Sequence, residues 1–373
     1  MMRLESWKAD KRLTEILIIC LAPDKDVESM LKKWESKHSI SEIDGGLIRF
    51  IPYLFRRVLD LNVKARDYNM LRGVYFKNWW VQTVFQKNNL SFLSVLDDTF
   101  PPFAILKGVA LQNTVYSHDP RTRPCDDIDI FVYSNNRLDA AESLLRQGFE
   151  LDNMYSLKYV MNYRKSASFR KGELSIDLNW GLHEYAKDPN YQNKIKFEEV
   201  VIDKDRFFIL NDTLNLVHTI IHGAAWNSVS STRWILDAAL LIQSEAIDWS
   251  LFVDIVITNG WQYPLVDQLL YLSEFEVEIP GEVIEEITES KIDYWGRATY
   301  FYQSQPSQFT RRINRAIYSD YLTFITNKGL KNSILNYVKF EPLVVLNLLT
   351  QYSRILVNSS LRDFSKMRRN LCL

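Results

Sequence analysis

The run Arg123-Pro-Cys-Asp-Asp-Ile-Asp-Ile-Phe-Val132 alternates acid and apolar residues and then turns wholly apolar, the pattern of a strand entering a sheet core. Asp127 and Asp129 stand two apart, so a strand points both carboxylates to one face. Two anions held that close repel each other unless a cation sits between them. A donor set made only of oxygen suits Mg²⁺ or Mn²⁺. By itself such a pair is common as a solvated strand end, so its weight depends on its neighbours. A third acid, Asp177, lies in Glu173-Leu-Ser-Ile-Asp-Leu-Asn-Trp180, again between apolar residues on what reads as an adjacent strand. Three acids on adjacent strands can hold two Mg²⁺ ions and activate a hydroxyl for in-line attack on a phosphate.

Upstream lies Leu106-Lys-Gly-Val-Ala-Leu111. Glycine at a strand-to-helix turn lets backbone N–H groups approach a phosphate, the helix start favours its charge, and Lys107 adds a cation. Around these segments the chain reads as strand at 103–108, helix at 109–116, loop at 117–125 and amphipathic helix at 135–148. Paired strands are expected at 159–169 and 173–180 with Lys171-Gly172 at the turn, and a last strand at 207–210. Residues before and after read as helical, including 47–85, a helix from Asn211 capped by Asp212 or Thr213, then 233–243 and 249–258. The expected architecture is therefore α+β: an N-terminal helical region at 1–98, a small sheet domain at 99–210 and a C-terminal helical domain at 211–373.

Taken in order, Leu106-Lys107-Gly108, Arg123-Pro124, Asp127-Ile-Asp129 and the later acid resemble the nucleotidyltransferases related to DNA polymerase β. The pattern is most similar to a largely uncharacterised bacterial family of that superfamily, whose helical tail carries His residues and an Arg-Trp-x-x-Asp segment. Here the tail reads Leu214-Asn-Leu-Val-His218-Thr-Ile-Ile-His222 and Arg233-Trp-Ile-Leu-Asp237. The resemblance implies a mixed nucleotidyltransferase-type sheet in which Asp127, Asp129 and Asp177 bind metal, Asp177 also helping to deprotonate the acceptor. It implies that Gly108 and Lys107 cradle the β and γ phosphates. Arg123 would sit near the triphosphate or buttress the acidic strand, and His222 would contact the nucleotide. Three departures stand out. Asp126 replaces a frequent Gly, Asn179 replaces a frequent His whose role would move to His183, and Lys-Gly replaces the superfamily's Gly-Ser.

His218 and His222, four apart, share a helix face. They can start a zinc site only if Asp237 folds back as a third ligand; otherwise they are a buried polar pair or a contact to nucleotide or acceptor. Trp79, Trp80, Trp180, Trp226 and Trp234 read as core before they read as base-stacking platforms. Arg56, Arg57, Lys64, Arg66, Arg72 and Lys77 read as a solvated helix face before a phosphate groove.

Composition bounds the rest. With 45 Lys and Arg against 46 Asp and Glu, a net charge of −1 and 47% hydrophobic residues, the chain is no uniformly basic nucleic-acid binder and no disordered tail. Three widely spaced cysteines make no disulfide framework, which points to the cytoplasm. The apolar run at 16–22 is too short for a membrane span, and 342–357 is interrupted by polar residues and reads as a buried helix. The expected function is a Mg²⁺- or Mn²⁺-dependent nucleotidyltransferase that moves a nucleoside monophosphate from an NTP, ATP foremost, to an unknown acceptor and releases pyrophosphate. The acceptor is a small molecule, a peptide or protein, or, disfavoured by the near-neutral charge, an RNA end. A non-catalytic nucleotide-binding or protein-interaction module is the alternative, and a zinc hydrolase on the histidines a third reading.

Overall fold

The computed structural model describes residues 7–300 apart from 43–44, 95, 97–99, 153–155, 184, 189, 203, 226–231, 292, 294–295 and 298–299. Within them the strands are β1 Phe103–Leu106, β2 Ile128–Val132, β3 Glu150–Leu151, β4 Ser166–Lys171, β5 Leu174–Asn179, β6 Phe197–Ile202 and β7 Asp205–Leu210. They form one sheet in the order β3-β4-β5-β2-β1-β7-β6. β2 pairs antiparallel with β1 and parallel with β5, and β1 pairs parallel with β7. The fold is thus α+β with a mixed sheet, as the sequence indicates.

All five residues of β2 are buried, so the strand is apolar on both faces except where Asp129 points. One face presents Ile105, Ile128, Ile130, Ile176 and Leu178 to a core completed by Ala140, Ala141 and Leu144 of α6 (Arg137–Arg146). The other carries Ala104, Leu106 and Phe131, and with them Asp129 and Asp177. The acids therefore share the face that the flanking helices cover.

Four helices precede the sheet: α1 Lys11–Leu21, α2 Asp24–Glu35, α3 Ile51–Asp60 and α4 Tyr68–Leu93. α1 starts at Asp10, whose carboxylate accepts from the Leu13 N–H. The helical stretch read at 47–85 is broken after α3, where Asn62 takes a left-handed turn at φ 52°. Between strands lie α5 Lys107–Gln112 and α7 Leu157–Tyr163. α7 corrects the strand expected at 159–169: the Ser156 side chain accepts from the Tyr159 N–H and caps a helix, and only the second half of that run pairs with β5. After β7 come α8 Asp212–Ala224, α9 Arg233–Gln243, α10 Trp249–Asn259, α11 Gln262–Leu272 and α12 Gly281–Glu289. The cap of α8 is Asn211, accepting from the Leu214 N–H, rather than Asp212 or Thr213.

First and last helices share one core. Trp7 packs edge-on against Trp234 at 6.0 Å and Tyr271 at 5.4 Å between ring centroids, and its carbonyl accepts from the Trp234 indole at 3.1 Å. No helix among the described residues is long and apolar enough to cross a membrane. The apolar segment at 342–357, Cys372 and the basic cluster Arg311, Arg312 and Arg315 lie outside the described residues.

Candidate active site

Register brings the acids together. Asp129 stands directly beside Asp177 across the parallel β2–β5 pair, and Asp127, just before β2, points the same way two residues earlier. Asp129 is only 4% exposed, whereas Asp127 is open to solvent. Partial burial, then repulsion from Asp129 and Asp177, still pushes the Asp127 carboxyl up to about 6. Burial and Asp129 also raise Asp177, against the opposing pull of the Ser168 hydroxyl, which donates to Asp177 at 2.5 Å. Asn179, two residues past Asp177, donates to Asp129 Oδ1 at 3.4 Å.

The cation nearest these acids is Lys107, whose Nζ lies 2.5 Å from Asp129 Oδ1. Burial would lower the ammonium's proton affinity, but Asp129, Asp177 and Asp127 together outweigh it and raise it. Lys107 holds a left-handed backbone at φ 49°, a conformation that costs a side-chain-bearing residue about 1 kcal/mol or more. That turn swings the chain from β1 into α5 directly beneath the acids. Gly108 follows because there is no room for more: a Cβ would overlap the Cys125 sulfur and come within 2.8 Å of Arg123 Nη1. The space glycine leaves is therefore filled by Cys125 and Arg123.

Arg123 is tied to the tail. Its Nε and Nη2 donate to both Asp237 oxygens at 3.1 and 2.7 Å, and the Tyr116 hydroxyl donates to the same carboxylate at 2.8 Å. This two-pronged pair is almost wholly buried and joins the loop before β2 to α9. Arg123 thus ties the loop before β2 to α9 while also lining the cavity beside the acids. Gln82 of α4 braces the same loop, accepting from the Cys125 N–H at 3.0 Å and donating to the Cys125 carbonyl at 2.9 Å.

Between the acidic face and helices α8 and α9 lies a cavity of about 280 Å³. Lys107, Gly108, Arg123, Asp127, Asp129 and His222 line it, whereas Asp177, the third of the acids, does not. His218 and His222 stack at 6.0 Å between ring centroids. Burial and then the Lys107 charge push His218 down to about 3, and the same ammonium, followed by burial, depresses His222, so both rings are neutral near pH 7. Asp237, the third ligand a zinc site would need, is occupied by Arg123. Among the described residues no set of three or more His, Cys, Asp or Glu side chains converges as a metal cage.

Other expectations resolve structurally. Trp180 is 1% exposed in the sheet core, donating to the Arg164 carbonyl, and Trp234 packs on Trp7 while lining the cavity. Trp226 lies outside the described residues. His183 sits edge-on to Trp261 and does not line the cavity. Arg57 binds the Cys20 and Ala22 carbonyls and Asp24, Arg56 pairs with Asp60, and Arg66 with Asp67, so these bases of the N-terminal helices are internal ties. Arg49 and Arg233, by contrast, line the cavity. Arg233 enters the sequence reading only as part of the tail pattern, and a lone Arg49 after two apolar residues carries no sequence signal.

No curated protein and no solved structure matches the chain significantly. A family model described as an uncharacterised nucleotidyltransferase matches residues 51–275, which takes in the whole sheet and the cavity's helices α8 and α9. The match covers more than half of the 373 residues, and the chain belongs to that nucleotidyltransferase family.

Proposed function

We propose that the protein is a Mg²⁺- or Mn²⁺-dependent nucleotidyltransferase of the DNA polymerase β-like type, transferring a nucleoside monophosphate from an NTP, ATP foremost, to an acceptor hydroxyl or phosphate with release of pyrophosphate. The observation that carries this is that Asp127, Asp129 and Asp177 share one face across the β2–β5 pair, with Asp127 and Asp129 opening onto a cavity lined by Arg49, Lys107, Arg123 and Arg233. The donors are all oxygen, and burial followed by mutual repulsion raises the Asp127 and Asp177 carboxyls; a divalent cation relieves that repulsion. An incomplete cage suits Mg²⁺, which commonly binds one or two carboxylates and completes its shell with water and substrate phosphates. Bound there, the metal would neutralise charge developing on the transferred phosphoryl group.

The chain's own residues supply the rest. Asp127 and Asp129 hold the cation that arrives with the triphosphate. Asp177, whose proton affinity is raised, stands one strand over to accept the acceptor's proton. Lys107 keeps Asp129 aimed, and the Arg123–Asp237 pair fixes the loop that presents Asp127. His222 lines the cavity as a neutral ring and can donate or accept a hydrogen bond toward the nucleotide.

Incubation with α-labelled NTPs, Mg²⁺ and a cell extract should label one acceptor class and release pyrophosphate. Asp127→Asn and Asp129→Asn should each lower turnover by about 10³-fold or more while the circular dichroism spectrum is kept. Full activity in both variants would sink the metal-site reading. The Lys107–Asp129 ion pair favours one alternative, a nucleotide-binding module that needs no metal because a lysine already compensates the acid. NTP binding without pyrophosphate release for any acceptor would support it.

A further inference from the structure

Two of the cations lining the cavity, Arg49 and Arg233, have no ion-pair carboxylate among the described residues. Arg233 opens α9, where no acid stands in the first turn and no side chain caps the helix. Thr232, the residue before it, is 1% exposed and its hydroxyl has no hydrogen-bond partner. A guanidinium at the start of a helix adds its charge to the positive end of the helix dipole, an arrangement that electrostatics disfavours. Arg233 donates one Nη1 hydrogen to the Pro124 carbonyl, but its buried Nε has no partner. Asp237, one turn further on, is held at both oxygens by Arg123. Burial and then the Arg123 charge push the Arg233 pKa down to about 10, with Asp237 and Cys125 opposing and Arg49 adding to the repulsion.

Arg49, in the short turn Leu47–Arg49, reaches the same cavity. No hydrogen bond or ion pair ties its side chain among the described residues. It also lies just outside the span matched by the family model. A buried guanidinium without a counter-charge is costly, and a second one beside it raises the cost.

We propose that Arg49, Arg233 and the uncapped start of α9 form an anion subsite of this cavity that takes a phosphate group. The subsite rests on the nucleotidyltransferase reading for the source of that phosphate, which is either the donor's triphosphate tail or a phosphorylated acceptor. Guanidinium groups suit it because their paired N–H groups match two phosphate oxygens. The N-terminal region would then contribute a substrate contact through Arg49.

Calorimetric titration of the full chain with inorganic pyrophosphate, ATP and AMP in Mg²⁺ tests this, using wild type, Arg49→Gln and Arg233→Gln. Pyrophosphate should bind wild type, and each variant should weaken it about tenfold or more, while AMP binds all three alike. ATP weakened in step assigns the subsite to the donor. ATP unchanged while pyrophosphate weakens assigns it to a phosphorylated acceptor. Arg49 is only half-buried, so Arg49→Gln keeps the test sound if Arg233→Gln fails to fold. Absence of pyrophosphate binding to wild type, or equal binding by wild type and Arg49→Gln, overturns the subsite. The transferase reading fails separately: pyrophosphate bound through these arginines with no nucleotide transfer would leave the subsite standing and remove the enzyme.

Discussion

Asp127 is the residue where the cost of the site is most measurable. Its carboxyl is raised to about 6, against an ordinary value of about 3.9 in an unfolded chain. Between those values the folded protein holds a proton that the unfolded chain has released, so stability falls as pH rises through that window. An uncharged asparagine escapes the fall. In metal-free buffer Asp127→Asn should therefore melt higher than wild type at about pH 7.5, with the gain shrinking toward about pH 4. Exposure of Asp127 keeps the gain modest through solvent screening, and added Mg²⁺ should reverse the order. A melting series in chelator and in Mg²⁺ checks it; a variant less stable than wild type at every pH would contradict it. The three acids were legible in the sequence because their spacing of two and their apolar neighbours are local features. Arg49 was not, because its position follows from a turn packed against helices far along the chain. Lys107 is legible as a cation, but its clasp on Asp129 follows from the β1–β2 register, which spacing along the chain does not reveal.

Among the elements, α8 and α9 roof the acids, and their approach is set by one residue. A Cβ on Gly223 would overlap the Trp234 ring, so the two helices sit as close as only glycine permits. Gly223→Ala should push them apart at about 1–3 kcal/mol, read by denaturant unfolding, with a larger cavity and weaker nucleotide binding. Unchanged stability would mean that Trp234 moves aside freely. α9 was read at its true bounds, and β2 and β5 nearly so, because each carries a strong period and clear ends. The run at 159–169 misleads because Tyr159, Val160, Tyr163 and Phe169 favour a strand while Leu157, Val160 and Met161 also fit a helical face, and the Ser156 cap decides for the helix. β6 escapes the sequence reading because its burial is slight and its consecutive glutamates, Glu198 and Glu199, put a charge on each face of the strand.

At the scale of the whole molecule, the described helices before and after the sheet share a single core against the sheet's acidic face. Trp7 is its clasp, 2% exposed between Trp234 and Tyr271. Trp7→Ala should cost about 3–5 kcal/mol in a thermal or denaturant melt, and should also impair nucleotide binding, because Trp234 lines the cavity. Loss of stability with binding intact would show that the clasp and the site are independent. Such joint closure was hidden in the sequence, where the ends look like separate helical flanks and only three-dimensional proximity unites them. It also fixes a timetable for synthesis. Trp7 and Trp234 are 227 positions apart, which a ribosome covers in roughly 10–45 seconds. For that interval α1 has α2 and α3 beside it but lacks the cover that α9 adds, a natural moment for a chaperone to hold the nascent chain. A polypeptide truncated before α9 would carry all three carboxylates and α8 yet lack Arg233, Trp234 and Asp237, so an interrupted translation product would have the acids under half a roof.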